Sequence, residues 1–328
     1  MLTSGIKFLN FSKKKNKNIS KKLFNLLSEN NKILSSLSKN YKQSFERKNL
    51  RKFKKSSIFR IIGMGGSSLG AQSIYCFLKH KINKKFYFAD NLTPNKNSLK
   101  KNVTNLIISK SGNTIETIIN SNILIKKYDK NIFITENKKN YLHLLAQKMK
   151  AEIIHHNDFI GGRYSVLSEV GMVPAELMGL KSNSFRQYNQ LIKNKRFLNS
   201  LINNVESILF FIKKKKFNSI IINYDDKSEN LFKWYQQLVA ESLGKNKKGI
   251  LPIVSNMPKD NHSVMQLYLD GFENNFFTFF NVREKISEKI RCKNLLKSHY
   301  FLKNKDISSI IYAQKKATEN VFRKKNIP

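Results

Sequence analysis

Ser109, Lys110, Ser111 and Thr114 place three hydroxyls and one cation in a single short stretch, Thr104 to Thr117, reading TNLIISKSGNTIET. Hydroxyl donors beside an ammonium suit an oxyanion. A phosphate suits them better than a carboxylate, because it has enough oxygens to use every donor. The flanks fit the same chemistry. Leu106-Ile107-Ile108 is an apolar run that reads as a buried strand. After the loop a helix begins, with Asn113 or Thr114 as cap and Glu116 in its first turn. A helix start exposes unpaired backbone N–H groups and the positive end of the helix dipole. A capped strand-to-helix turn that binds nothing uses the same residue types.

Other residues could act beside this loop. GMGGSSLG, from Gly63 to Gly70, follows the run Ile58–Ile62 and brings backbone and two serines close to any small polar ligand. It also invites a dinucleotide reading, with Asp90 closing the next strand. Gly63 and Gly65 fit that fingerprint, but the third glycine position holds Ser68. Arg163, after Gly161-Gly162, offers a planar cation, or half of a salt bridge within its domain. Glu241 stands at the C-terminal end of a helix expected over Asn230–Leu243, before Gly244. A carboxylate is unfavourable against the negative end of a helix dipole, which suits a group that must take up a proton. His262 stands where a loop enters a helix, a place where a lone histidine is more often structural. His155 and His156 are adjacent, point opposite ways on a strand, and make a poor metal pair.

The elements that must position these residues alternate. Strands at Ile58–Ile62, Phe86–Phe88, Leu106–Ile108 and Ile132–Thr135 are separated by helices, one of them over Tyr141–Met149. That order predicts a parallel sheet covered on both faces, with ligands at the carboxyl ends of the strands. Both loops, Gly63–Gly70 and Ser109–Thr114, leave such ends and are expected to converge. Leu23, Leu26, Leu27, Ile33, Leu34 and Leu37 are spaced as in amphipathic helices. We therefore expect an α/β protein with a helical lead-in over 1–56, a first domain over 57–184 and a second αβ domain over 185–328.

A chain of 328 residues can bury a sizeable core. Two cysteines, Cys76 and Cys292, build neither a disulfide framework nor a zinc site, which fits a reducing cytoplasm. No apolar run spans a bilayer, and MLTSGIKFLNFSKKK lacks the apolar core of a secretion signal. The formal charge of +39 raises nucleic-acid binding. However, Lys, Asn, Ile and Phe are over-used along the whole chain, the mark of a composition bias and not of one basic face. We read nucleic acid as no partner, and the charge as at most an attraction for a phosphorylated substrate.

Five motifs in order, GMGGSSLG, ISKSGNTIET, GGRYSVLSEVGMVPAELMG, QQLVAESLGK and NHSVMQLYLDG, resemble the glucose-6-phosphate isomerase (phosphoglucose isomerase) family from about Ile58 to about Phe280. The resemblance implies two sugar-isomerase (SIS) domains, each a parallel sheet flanked by helices, and no metal or organic cofactor. It implies a glycolytic aldose–ketose isomerase acting on glucose 6-phosphate and fructose 6-phosphate as a cytoplasmic homodimer. By motif position, Ser109, Lys110, Ser111 and Thr114 hold the sugar phosphate, Gly66 and Ser67 touch the sugar, and Gln237 lies beside the substrate. Glu241 is the base, Arg163 stabilises the enediolate, and His262 assists ring opening from the partner subunit. Family members usually continue past AQKKATENVFRKKNIP to a Gly-Val-Glu segment and a ring-opening lysine. Here the chain reads no Gly-Val-Glu, and Lys315 and Lys316 stand in another context. The alternatives are an inactive truncated isomerase and a non-catalytic SIS module that binds sugar phosphates.

Overall fold

The computed structural model describes residues 5–7, 9, 17–94, 102–291 and 295–328. Cys292 and most of the segment before Lys17 lie outside these residues. The chain divides into two compact units, residues 1–210 and 211–328.

The first unit opens with three helices, α1 (Lys17–Ser28), α2 (Lys32–Ser36) and α3 (Arg47–Leu50). Then come β1 (Ile58–Ile62), α4 (Leu69–Phe77), β2 (Lys85–Ala89), β3 (Thr104–Ile108), α5 (Ile115–Leu124), β4 (Lys130–Glu136), α6 (Tyr141–Lys148), β5 (Glu152–His156), α7 (Glu169–Leu177), α8 (Tyr188–Leu191) and α9 (Lys195–Lys213). The five strands form one sheet in the order β2-β1-β3-β4-β5, every neighbouring pair parallel. Apolar residues are consecutive at Leu106–Ile108 of β3 and Ile132–Ile134 of β4 because both faces are covered there. Leu106 and Ile108 join Ile132 and Ile134 on the face shared with α4 and α7. Ile107 and Phe133 point to the other face, against Leu124 of α5 and Leu142 and Ala146 of α6. Each such side chain, fully buried, stabilises by ~1.5–3 kcal/mol. Phe45, Leu50 and Phe53 of the lead-in join the first of these cores.

The second unit carries β6 (Asn218–Asn223), α10 (Glu229–Leu243), β7 (Leu251–Asn256), α11 (Met265–Asp270), β8 (Asn275–Phe280) and α12 (Ile307–Lys324). Its sheet runs β7-β6-β8, again parallel. Phe322 of α12 meets Phe277 and Phe279 of β8 edge to face, with ring centroids 4.9 and 5.3 Å away. Lys315 is buried on the same helix, its ammonium 2.9 Å from Glu319. Burial raises the Glu319 carboxyl, but hydrogen bonds from Lys315 and Lys316 outweigh it and hold the group below the ordinary range. Among the described residues no helix is long and apolar enough to cross a membrane.

Candidate functional site

In the first sheet the chain leaves β1 for β2 on one side, then returns to place β3 on the other. That reversal opens a crevice at the carboxyl ends of β1 and β3, where parallel sheets hold ligands. The two predicted loops leave these two ends. They lie close: a Cβ on Gly63 would sit 2.7 Å from the carbonyl oxygen of Ile108. A Cβ on Gly66 would sit 2.2 Å from the carbonyl oxygen of Gly162 and 2.9 Å from the nitrogen of Arg163. Only glycine admits this approach. The buried Ser165 hydroxyl fixes it, at 3.1 Å from the Gly66 carbonyl oxygen and 2.6 Å from that of Gly162. Gly66 and Ser67 therefore belong with the backbone of Arg163. The Arg163 guanidinium lies over the Tyr164 ring, 4.6 Å from its centroid. Asp90 accepts from the Gln72 amide at 2.5 Å.

The loop after β3 is held from beneath. Thr114 is the N-cap of α5, yet its side chain makes no capping bond. Its hydroxyl instead meets the buried Ser109 hydroxyl at 2.8 Å. Ser109 also accepts from the Gly112 N–H at 3.2 Å, and Ser111 from the Asn113 N–H at 3.3 Å. Gly112 takes a left-handed φ of +69°. The Lys110 ammonium lies 3.4 Å from Glu136 and donates to the Asp158 carbonyl. Thr135 and the Glu136 N–H both donate to the Lys110 carbonyl oxygen, at 3.2 and 3.1 Å. The result is a hydroxyl-lined loop at the start of a ten-residue helix, with a cation on its flank. It can take an oxyanion.

Sequence reasoning missed three buried residues that hold neighbouring elements of this unit in place. Asn140 caps α6 and packs under Gly112. Its cap signal is readable, since it precedes an apolar-periodic helix, but its reach to a loop many residues upstream is not. Ser165 lies in a motif already singled out and reads as one more loop serine. Glu169, fully buried in the first turn of α7, accepts from the Tyr41 hydroxyl at 3.0 Å and the Ser44 N–H at 2.9 Å, with His156 3.6 Å away. Burial pushes the Glu169 carboxyl up, but hydrogen bonds from His156, Ser44 and Tyr41 outweigh it and hold it below the ordinary range. The same burial, with Glu169 alongside, pushes the Tyr41 phenol up. His156 is thus a structural histidine, as expected.

In the second unit Gln237 and Glu241 share one face of α10, and the Gln237 amide donates to Glu241 Oε1 at 2.9 Å. Glu241 is exposed at the last turn. Gln237 Oε1 is buried and finds no hydrogen-bond partner among the described residues. His262 is exposed at the end of a 3₁₀ turn, Lys259–His262. Asp260 shapes that turn by accepting from the Ser255 hydroxyl at 2.9 Å and the Asn256 N–H at 2.8 Å.

The chain is similar to known proteins. The family model for phosphoglucose isomerase matches residues 6–250. A glucose-6-phosphate isomerase of Methanocaldococcus jannaschii is 34% identical over 303 residues, 85% of this chain and 74% of that protein. One of Caldanaerobacter subterraneus is 31% identical over 267 residues, 72% of this chain and 59% of that protein. The chain thus spans about three fifths to three quarters of such relatives' length. Among solved structures, a hypothetical protein of Thermus thermophilus superposes with a TM-score of 0.75 at 20% identity, covering 94% of this chain and 81% of that one. A glucose-6-phosphate isomerase of Chlamydia trachomatis superposes with a TM-score of 0.64 at 18% identity, covering 88% of this chain and 64% of that one. The α/β fold with parallel sheets flanked by helices is the one these structures share, and by its family match and its relatives the chain belongs to the phosphoglucose isomerase family.

Proposed function

We propose that the protein interconverts glucose 6-phosphate and fructose 6-phosphate, as a homodimer in the cytoplasm. One observation supports this most: within a chain of this family, the α5 N-terminus keeps its cap side chain turned away and hydroxyls gathered around it. In this reading Ser109, Lys110, Ser111 and Thr114 hold the phosphate, and Gly66 and Ser67 contact the sugar. His262, from the partner subunit, assists ring opening. Glu241 takes the proton from C2 of the open-chain aldose and returns it to C1. The electron pair of the broken C–H bond forms the enediolate, Arg163 stabilises the oxygen on C1 that gains charge, and the hydroxyl proton of O2 passes to that oxygen as C2 becomes the carbonyl. Gln237 holds Glu241 through its amide and lies beside the substrate. The phosphate supplies binding energy remote from the reacting carbons, which holds them in place.

The test follows formation of glucose 6-phosphate from fructose 6-phosphate through a coupled dehydrogenase. Wild type turns over, and Glu241→Gln loses roughly 10²–10⁴-fold in kcat, the usual contribution of a positioned acid–base group. No turnover by wild type overturns the isomerase reading. A thermal shift with fructose 6-phosphate in that case leaves a sugar-phosphate-binding module.

A further inference from the structure

We infer that Asn140 is a positioning residue for the anion loop, acting from beneath it through Gly112 and Thr135. The inference rests on the reading that this loop holds a phosphate. Asn140 is buried, and its side chain uses both amide hydrogens and its oxygen. Oδ1 accepts from the His143 N–H at 2.9 Å and so caps α6. Nδ2 donates to the Thr135 hydroxyl and to the Lys138 carbonyl oxygen, each at 3.1 Å. Thr135 passes the contact on by donating to the Lys110 carbonyl oxygen at 3.2 Å. The Asn140 amide also fills the space that a side chain at Gly112 would need: a Cβ there would lie 2.0 Å from Oδ1.

The first turn of α6 completes the brace. The Tyr141 N–H donates to Asn113 Oδ1 at 3.0 Å, and the Leu142 N–H donates to the Gly112 carbonyl oxygen at 3.1 Å. Asn140 therefore sets where α6 starts, and the start of α6 sets the height of the loop. The amide has a second consequence. It presents Nδ2, a donor, toward Thr135, whose hydroxyl proton is then directed at the Lys110 carbonyl. Together with the Glu136 N–H, which donates to the same carbonyl, that fixes the peptide between Lys110 and Ser111, and with it the aim of the donors proposed to meet a phosphate.

Asn140→Asp separates the two jobs. An aspartate still caps α6 and still fills the space under Gly112. It cannot donate to Thr135 or Lys138, and it sets a carboxylate oxygen against the Lys138 carbonyl. Thr135→Val is an uncharged companion that breaks the same chain one residue later and leaves the cap alone. The probe is inorganic phosphate, read by thermal shift and by competition against fructose 6-phosphate. Each variant is expected to keep its ligand-free melting temperature within a few degrees and to bind phosphate about tenfold more weakly, the size of one lost buried hydrogen bond. In turnover the loss falls on KM more than on kcat, because the phosphate is held equally in ground and transition states. Wild-type phosphate affinity in Thr135→Val, or in a folded Asn140→Asp, overturns the inference, as does a wild type that binds no phosphate. Phosphate binding that weakens as expected in a protein without turnover supports the inference and removes the isomerase reading instead.

Discussion

Helices α5 and α6 pack on the same sheet face and begin with residues that commonly cap helices, yet only α6 uses its cap. Asn140 accepts from the His143 N–H, while the Tyr141 and Leu142 N–H groups meet Asn113 and Gly112. The α6 terminus is spent on the fold. At α5 the Thr114 hydroxyl turns to Ser109 and makes no cap bond. Helix α7 is a third case: Ser168 accepts from the Val170 N–H, and a carboxylate, Glu169, occupies its first turn. Every helix offers donors and a dipole at this end. At α5 the hydroxyls of Ser109 and Thr114 are engaged with each other, and the loop ahead of the helix is held by the first turn of α6.

The most damaging way to break this contrast is Gly112→Ala. The residue sits at φ +69°, and its Cβ would overlap the Asn140 side chain. Backbone strain and the displaced amide together are expected to cost about 3 kcal/mol, measured by urea unfolding. Both termini change at once, so the thermal shift with phosphate should vanish. A variant of wild-type stability that still binds phosphate means that α5 does not depend on α6.

Helix α7 sharpens the contrast through pH. Its terminus carries its own anion, and Glu169 has its folded pKa held below the ordinary carboxylate value. Its contribution to stability is therefore complete above the unfolded value of about 4.3 and disappears as the pH falls through the folded value. Glu169→Gln is expected to destabilise by about 2 kcal/mol at neutral pH, since hydrogen bonds to a buried charge are lost. Its stability should then fall less steeply in acid than that of wild type. Parallel acid curves for the two proteins show that Glu169 titrates no differently folded than unfolded.

Much of this was readable in the residues. Ile58–Ile62 forms β1 with the bounds its apolar run suggests, and Leu106–Ile108 ends β3 where the hydroxyls begin. Strands buried on both faces read as unbroken apolar runs. β5 and β8 are harder, because Glu152, His155 and Asn275 interrupt the pattern. The loop proposed to take an anion was visible, since its donors are contiguous in sequence. Its brace was not. Ile108 pairs with Ile134, which brings Thr135 and then Asn140 beneath Lys110 and Gly112. That register comes from packing of the two strands and has no local signature. The cap was expected at Asn113 or Thr114 and falls at Thr114, but the competition of Ser109 for its hydroxyl depends on the folded turn.

The gentlest perturbation is Lys110→Met. The Lys110 ammonium is partly exposed and lies 3.4 Å from Glu136, which Lys138 also approaches at 3.3 Å. Lys138 remains to neutralise that carboxylate, so the substitution should change folding stability by no more than about 0.5 kcal/mol. Its effect on an anion differs in kind from that of the hydroxyls. A hydroxyl acts at hydrogen-bond distance and is little affected by salt, whereas an exposed ammonium acts through a field that salt screens. Phosphate affinity in Lys110→Met should fall a few-fold at low salt and converge on wild type as salt rises. Equal affinities at every salt concentration assign the whole site to the α5 terminus and its hydroxyls, and leave Lys110 as a partner of Glu136 and the Asp158 carbonyl alone.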